Sequence, residues 1–244
     1  TIYDDVPVGQ SVLQSLTNIS NSTLSAIGIG AADNFATKIN ASTPLKFNGK
    51  PEILFISSDY CPFCAAERWP LIIALSRFGT FSKLHYMTSG ADDVFPSTAT
   101  FTFYNSTYTS NYISFISIEE YTNRPLNNSF SYQKLQTPNA SEESIFERYS
   151  NHGGIPFTDF ANKSIGFGSN FLPSVLRVGG TAAGESYNWT QIITQMRNQN
   201  TTISQSILGS ANLLTAEICQ ITNNTPPSVC NQPYIKSIGS SIHG

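Results

Sequence analysis

The order of hydrophobic patterns along the chain predicts an α/β fold, and three observations carry that prediction. The apolar run Ile53-Leu54-Phe55-Ile56 is followed closely by Cys61-Pro62-Phe63-Cys64 and then by a helical pattern. Far downstream, Gly154-Ile155-Pro156 opens another strand, which turns back on itself at Ala161-Asn162-Lys163. After a glycine-rich connection, Tyr187 to Arg197 has amphipathic helical spacing, with Trp189, Ile192, Ile193 and Met196 on one side.

The elements follow in order. Ser11 to Ala36 carries apolar residues at helical spacing and predicts one helix, ended loosely at Gly28 and Gly30. Leu45 to Phe47 predicts a short strand, and Asn48-Gly49-Lys50-Pro51 a turn. Glu52 to Ser57 reads as a strand buried on both faces, because its apolar run is continuous rather than alternating. Cys61 to Phe78 predicts a helix that Pro70 should kink, since proline removes a backbone donor. Phe81 to Thr88 predicts a strand, as do the alternating segments Phe101 to Tyr104 and Tyr112 to Ile118. Their aromatic residues suit sheet packing or an exposed contact edge. Thr122 to Thr137 is polar and predicts a loop. Ser141 is the expected cap of a helix running to Tyr149, and a last helix is expected over Ile203 to Thr222. These elements imply an N-terminal helical extension over 1–44 and a principal domain over 45–200, with an insertion at about 89–140. A C-terminal helix and tail occupy 201–244, with no linker long enough to divide the chain.

Composition narrows the compartment. Charged residues make up 12 % of the chain and the net charge is −3. No basic cluster suggests nucleic acid, and no basic amphipathic stretch suggests a membrane surface. No apolar run is long enough to span a bilayer. The chain opens on neither Met nor a charged-then-apolar leader, so its numbering is expected to start after processing, which leaves open a removed signal or anchor upstream. Polarity comes instead from 55 Ser and Thr and 21 Asn. Ten Asn head an Asn-x-Ser/Thr triplet: Asn18, Asn21, Asn40, Asn105, Asn127, Asn139, Asn162, Asn188, Asn200 and Asn223. Roughly five would arise by chance, so N-linked glycans on an extracellular or cell-surface protein are expected. Low charge also suits an acidic exterior, where carboxylates lose their charge.

The four cysteines fit an oxidising exterior. Cys61 and Cys64 are expected to pair with each other. Cys219 and Cys230 are then left to staple the last long helix to the tail around Pro226-Pro227, a ring worth about 3 kcal/mol in the chain-entropy model. A four-cysteine zinc site is disfavoured by the spacing of the second pair, and neither metal nor cofactor is expected. His152, His85 and His243 stand in a loop, a strand and the tail. No Ser/His/Asp order, phosphate loop or His-Glu-x-x-His motif occurs.

Cys61-Pro62-Phe63-Cys64 at a strand–helix junction, with Gly154-Ile155-Pro156 opening a strand and hairpin, resembles the thioredoxin-like superfamily. More closely, the chain resembles an uncharacterised group of archaeal secreted thioredoxin-like proteins, which brings a fold but no activity. The resemblance covers roughly residues 45–200. It implies a mixed sheet flanked by helices, here with a β-rich insertion and extra N- and C-terminal helices. It also implies a cis peptide bond before Pro156, lying against the cysteine pair, with Ile155 and Pro156 holding an extended substrate peptide. Cys61 would be the nucleophile and Cys64 the resolving thiol. The chain departs from the family where a buried acid is expected, six residues before the first cysteine, because Phe55 stands there. Asp59 reads as an exposed turn residue and Glu67 as a helix residue facing water, so neither is an evident proton acceptor. Tyr60 replaces the Trp common before the first cysteine, and Pro70 is displaced by one position from the family's helix proline.

The expectation is thus an extracellular, glycosylated thiol–disulfide oxidoreductase acting on secreted or surface proteins through Cys61 and Cys64. Two alternatives stand beside it. One is a cell-surface or filament-associated structural glycoprotein, able to self-assemble, with a redox-silent thioredoxin-like fold. The other is a peptide-binding module without redox chemistry.

Overall fold

The computed structural model describes residues 6–33, 36–127, 131–150 and 152–242. The chain begins with strand β1 (Val6–Pro7) and helices α1 (Gln10–Thr17) and α2 (Asn21–Ile27). The single helix expected over Ser11 to Ala36 is therefore two. The break falls at Asn18-Ile19-Ser20, where Ser20 Oγ accepts the Thr23 N–H at 3.1 Å and caps a new helix. Gly28, at φ +59°, ends α2. Strands β2 (Ala36–Lys38), β3 (Lys46–Phe47) and β4 (Lys50–Ser57) follow. Asn48 and Gly49 both have positive φ and make the two-residue turn between β3 and β4.

Helix α3 (Pro62–Leu75) leaves the end of β4, and seven strands come after it. These are β5 (Gly79–Ser82), β6 (His85–Thr88), β7 (Ala99–Thr102), β8 (Thr107–Ser110), β9 (Ser114–Glu119), β10 (Tyr121–Pro125) and β11 (Tyr132–Lys134). The chain closes with α4 (Ala140–Tyr149), the hairpin β12 (Phe157–Phe160) and β13 (Ser164–Phe167), then α5 (Trp189–Met196), α6 (Thr202–Ile221), α7 (Pro227–Cys230) and α8 (Pro233–Ser241).

The architecture is mixed α/β. Six strands form the main sheet in the order β2-β13-β12-β4-β3, with β9 also paired to β4. β9 runs parallel to β4, register Glu52↔Ser114 through Ser57↔Glu119, while β12 runs antiparallel to β4 on its other side. β4 is continuous in apolar character because both its faces are covered. Ile53 and Phe55 join the large core with α3, α5 and α6, whereas Leu54 and Ile56 meet Phe146 of α4 and Phe157 of β12. The insertion adds small sheets: β1-β6-β7, β5-β8 and β10-β11. No helix among the described residues is long and apolar enough to cross a membrane.

Polar bonds fix the position of α3. Trp69 Nε1 donates to the Ala99 carbonyl at 2.9 Å and Trp189 Nε1 to the Thr100 carbonyl at 2.6 Å. Thr100 Oγ1 donates to the Ala65 carbonyl at 2.8 Å, in the turn before Pro70. α6 passes close to the first helices because residue 209 is glycine; a Cβ there would strike the Ile29 carbonyl. Asn212 Nδ2 then donates to the carbonyls of Leu24 and Gly28 at 2.8 and 2.7 Å, so α2 is bolted to α6.

Several further expectations are corrected or decided by the structure. The strand expected over Phe81 to Thr88 is two strands in different sheets, separated at Lys83, whose φ is +59°. Thr122 to Thr137 is not a plain loop: it contributes to the β10-β11 hairpin. β8 lies between two expected strands and was not foreseen, because Thr107-Tyr108-Thr109-Ser110 carries little apolar signal. The cap of α4 is Asn139 rather than Ser141. Asn139 Oδ1 accepts the Glu142 N–H at 3.0 Å, and Glu142 Oε2 accepts the Asn139 N–H at 2.6 Å, a capping box. The aromatic residues Phe101 and Phe103 are buried core rather than an exposed edge.

Candidate functional site

The end of β4 delivers the chain to a short loop, Ser58-Asp59-Tyr60, and then to the tip of α3. Neighbouring backbone locks the loop. The Asp59 N–H donates to the Tyr121 carbonyl at 2.8 Å, and the Gly90 N–H to the Tyr60 carbonyl at 2.8 Å. Cys61 is the N-cap of α3 and Pro62 its first residue, where a missing N–H costs nothing. Cys61 Sγ accepts the Cys64 N–H at 3.1 Å, so the sulfur occupies the position usually held by a serine or aspartate oxygen. It thereby faces the unpaired donors and the positive end of the helix dipole.

Cys61 and Cys64 are thiols in this structure, 6 % and 0 % exposed. The Ile155–Pro156 peptide bond is cis, and the Cys61 thiol points at the Ile155 carbonyl across 3.9 Å. The Gly168 N–H donates to the Pro156 carbonyl at 2.9 Å and holds that loop against the following strand. Residues far apart in sequence, Cys61, Cys64, Ile155 and Pro156, thus meet in one place. Aromatic rings wall it. Tyr60 stacks on Tyr132 at 4.2 Å with planes 2° apart, and Phe63 sets its edge against Phe95 at 5.9 Å. Gly90 makes room for the stack, since a Cβ there would press on the Tyr132 hydroxyl at 2.6 Å. Burial and the neighbouring cysteines push the Tyr60 phenol up to about 12.

A charged cluster lies beneath the sulfurs. Arg68 is fully buried, with Nε donating to Glu119 Oε1 at 3.0 Å and Nη2 to Glu119 Oε2 at 2.6 Å. Nη2 also reaches Ser57 Oγ at 3.2 Å and the Ser58 carbonyl at 3.0 Å, and Asp59 Oδ1 lies 3.6 Å away. The Ser57 hydroxyl donates to Glu119 in turn. Burial disfavours the guanidinium charge, but Glu119 and Asp59 outweigh it and hold Arg68 above its usual range. Burial likewise pushes the Cys64 thiol up, the hydrogen bond and charge of Cys61 add to this, and Arg68 and the Ser58 backbone oppose it.

The expected exposure of Asp59 and Glu67 was wrong. Asp59 is buried against Arg68. Glu67 is buried on another side of α3, where its Oε2 accepts the Asn170 N–H at 2.9 Å and its Oε1 has no hydrogen-bond partner. Burial pushes Glu67 up to about 8, the Asn170 bond opposing. Two more buried carboxyls face α4, away from the sulfurs. Glu52 is pushed up to about 7 by burial, with Glu142 and Asp159 adding to the rise, and Asp159 to about 6 by burial against an Asn162 hydrogen bond.

The sequence reading did not select Arg68 and Glu119. Their signal is that charge is scarce in this chain, yet Glu67-Arg68 interrupts an apolar helix and Glu119-Glu120 ends an apolar strand. Among the other expected residues, Cys219 and Cys230 form a disulfide with Cα atoms 5.5 Å apart. Nine of the ten triplet asparagines are exposed. Asn162 is half-buried, and its Nδ2 donates to the Thr43 carbonyl at 3.0 Å. His152 is exposed at φ +68°, His85 lies in β6, and His243 falls outside the described residues. Among the described residues no group of three or more His, Cys, Asp and Glu is placed to hold a metal ion.

Comparison with known proteins yields one family. No curated protein and no solved structure matches the chain. A family model described as "Domain of unknown function (DUF929)" matches residues 36–220, a stretch running from β2 to the end of α6 that includes both the cysteine pair and the Ile155-Pro156 loop. The protein belongs to the DUF929 family of uncharacterised domains.

Proposed function

We propose that this chain is an extracellular, glycosylated thioredoxin-like thiol–disulfide oxidoreductase acting on disulfides of secreted or surface proteins. The observation that carries the reading is the Cys61 sulfur, which caps α3 at 3.1 Å from the Cys64 N–H and lies 3.9 Å from the Ile155 carbonyl. The thiolate of a cysteine is the form that attacks disulfides, and this sulfur stands at the helix tip where a substrate sulfur can be met. The strand order β9-β4-β12-β13, with the first two parallel and the cysteines directly after β4, supports the thioredoxin-like reading. The ten glycan triplets, nine of them exposed, support the extracellular setting.

The exchange proceeds in two displacements. The Cys61 thiolate attacks one sulfur of a substrate disulfide, and the other sulfur leaves as a thiolate and takes up a proton. The Cys64 thiolate, having given up its proton, then attacks Cys61 Sγ. The mixed disulfide breaks, the second substrate sulfur leaves and is protonated, and a Cys61–Cys64 bond forms. Two electrons pass from the cysteine pair to the substrate.

The test is reduction of a model protein disulfide by the purified chain with a dithiol as final reductant. Turnover is expected in the native chain and is lost in Cys61→Ser, while Cys64→Ser accumulates the mixed disulfide. Equal rates for native chain and Cys61→Ser overturn the reading. The low exposure of Cys61 favours a second reading, a structural surface glycoprotein whose cysteine pair is silent. A Cys61/Cys64 reduction potential below about −300 mV marks that silent bond, and a higher one a working site.

A further inference from the structure

We propose that Arg68 is the positioning residue for the second cysteine: its Nη1 donor, buried without a partner, serves the Cys64 thiolate that forms when the mixed disulfide is resolved. The inference rests on the thiol–disulfide reading above and adds a cation that stabilises the Cys64 thiolate, while the proton itself leaves to the departing substrate sulfur or to solvent.

Geometry carries it. Cys64 and Arg68 are four residues apart on α3, so they share one face of the helix, one turn apart. Both are completely buried. The guanidinium cannot swing away, because its Nε and Nη2 donors are committed to Glu119, Ser57 and the Ser58 carbonyl. Only Nη1 remains, and it has no hydrogen-bond partner. A buried donor without an acceptor is a standing cost that natural chains rarely carry. An acceptor that exists only in one chemical state of the protein accounts for it.

Electrostatics point the same way. Among the ionisable groups near Cys64, Cys61 opposes a second thiolate by its hydrogen bond and charge and Arg68 favours one, while the Tyr60 phenol, itself raised by burial and by both cysteines, also lies within electrostatic reach. Behind Arg68 stand Glu119 and Asp59, which keep it charged. Once Cys61 is tied up in a mixed disulfide, its opposing charge is gone and the Arg68 contribution stands. Cys64 is then readied at the moment it must attack and held back before it. The proton that Cys64 gives up balances the one taken up by the departing substrate sulfur.

The test uses Cys61→Ser as background, which leaves Cys64 as the one free thiol. Its titration is followed by thiolate absorbance and by alkylation rate against pH. Arg68→Gln combined with Glu119→Gln, which removes the cation and its main partner together, should raise the Cys64 midpoint by about one pH unit. In the native cysteine pair the same substitutions should slow release of a preformed mixed disulfide about tenfold, while the rate of its formation at Cys61 stays the same. Arg68→Lys, which keeps the charge and loses the fork, should fall between. An unmoved Cys64 midpoint in the folded double variant overturns the assignment. Should that variant not fold, the guanidinium NMR signals of Arg68 in Cys61→Ser decide: they shift with the Cys64 titration if the contact exists, and stay constant if it does not. A native chain that forms no mixed disulfide overturns both readings, whereas one that forms it with an Arg68-independent Cys64 overturns only this one.

Discussion

Cys219 and Cys230 close the end of one buried helix onto the turn that follows, whereas Cys61 and Cys64 open another helix and remain thiols. The first pair is packed among apolar side chains, including Ile218, Val229 and Ile235. The second sits on a buried arginine with two carboxylates and beside a backbone carbonyl. The surroundings are as different as the bonding. A bridge that only ties the chain needs nothing nearby but volume. A pair that changes state needs charges and donors that treat thiol and thiolate differently. A chain this poor in charge nonetheless spends some of it under Cys64, and that expense is the difference to be tested.

The largest effect is expected from breaking the charges under Cys64. Glu119→Ala leaves Arg68 fully buried, with Asp59 at 3.6 Å as its remaining ionic partner. Removing one partner of a buried pair costs about 3–5 kcal/mol. Urea denaturation should show that loss as a lower midpoint at unchanged slope. A loss below about 1 kcal/mol would mean that water already reaches the cluster.

Opening the other pair is expected to cost somewhat less. Cys219→Ser with Cys230→Ser frees an eleven-residue separation and should lower stability by about 3 kcal/mol, again read by urea denaturation. The exchange activity should be unchanged, because this staple lies on α6 and α7, away from the tip of α3. A matching loss of activity in the folded double variant would erase the contrast between a tie and a working pair.

These two sites were legible to different degrees. The staple could be read from cysteine arithmetic and the Pro226-Pro227 turn. The cysteine pair and the Ile155-Pro156 loop could be read because each carries a local pattern, a strand before and a helix or hairpin after. The strand–helix order of the core followed from the unbroken apolar run of β4 and the spacing on α5. The Arg68–Glu119 pairing could not be read, since it depends on which face of α3 meets the parallel strand β9. Asp59 and Glu67 were misplaced for the same reason: a charged residue is taken as exposed until the packing of its neighbours is known. The break between α1 and α2 was missed because Leu13, Leu16 and Ile19 keep helical spacing through the Ser20 cap. The break between β5 and β6 was missed because positive φ at Lys83 has no sequence mark.

Glu67 gives the next smaller effect and a pH signature. Its carboxyl is raised from 4.5 to about 8 in the folded chain. Between those values the unfolded chain has lost the proton and the folded chain keeps it. The unfolded state then binds fewer protons, so stability falls as pH rises from about 4.5 to 8. Glu52, raised to about 7, and Asp159, raised to about 6, act with the same sign. The protein should therefore gain stability on mild acidification. Glu67→Gln keeps an acceptor for the Asn170 N–H and removes one titration. It should match the native chain near pH 4 and become the more stable of the two as pH rises toward 8. Equal pH slopes for the two would show that Glu67 is charged in the fold.

The smallest effect separates capping from chemistry at Cys61 itself. Sulfur is a poor acceptor for the Cys64 N–H, and serine is among the best residues for an N-cap. Cys61→Ser should therefore leave α3 as stable as before or firmer by up to about 1 kcal/mol, while disulfide exchange disappears. Set beside Cys219→Ser, which should weaken the fold and spare the exchange, the two substitutions invert one another. Thermal unfolding at neutral pH checks the first half, and the model-disulfide assay the second. A Cys61→Ser chain that unfolds several degrees lower would make the sulfur a structural element of the helix tip, and the two cysteine pairs would then differ in bonding but not in purpose.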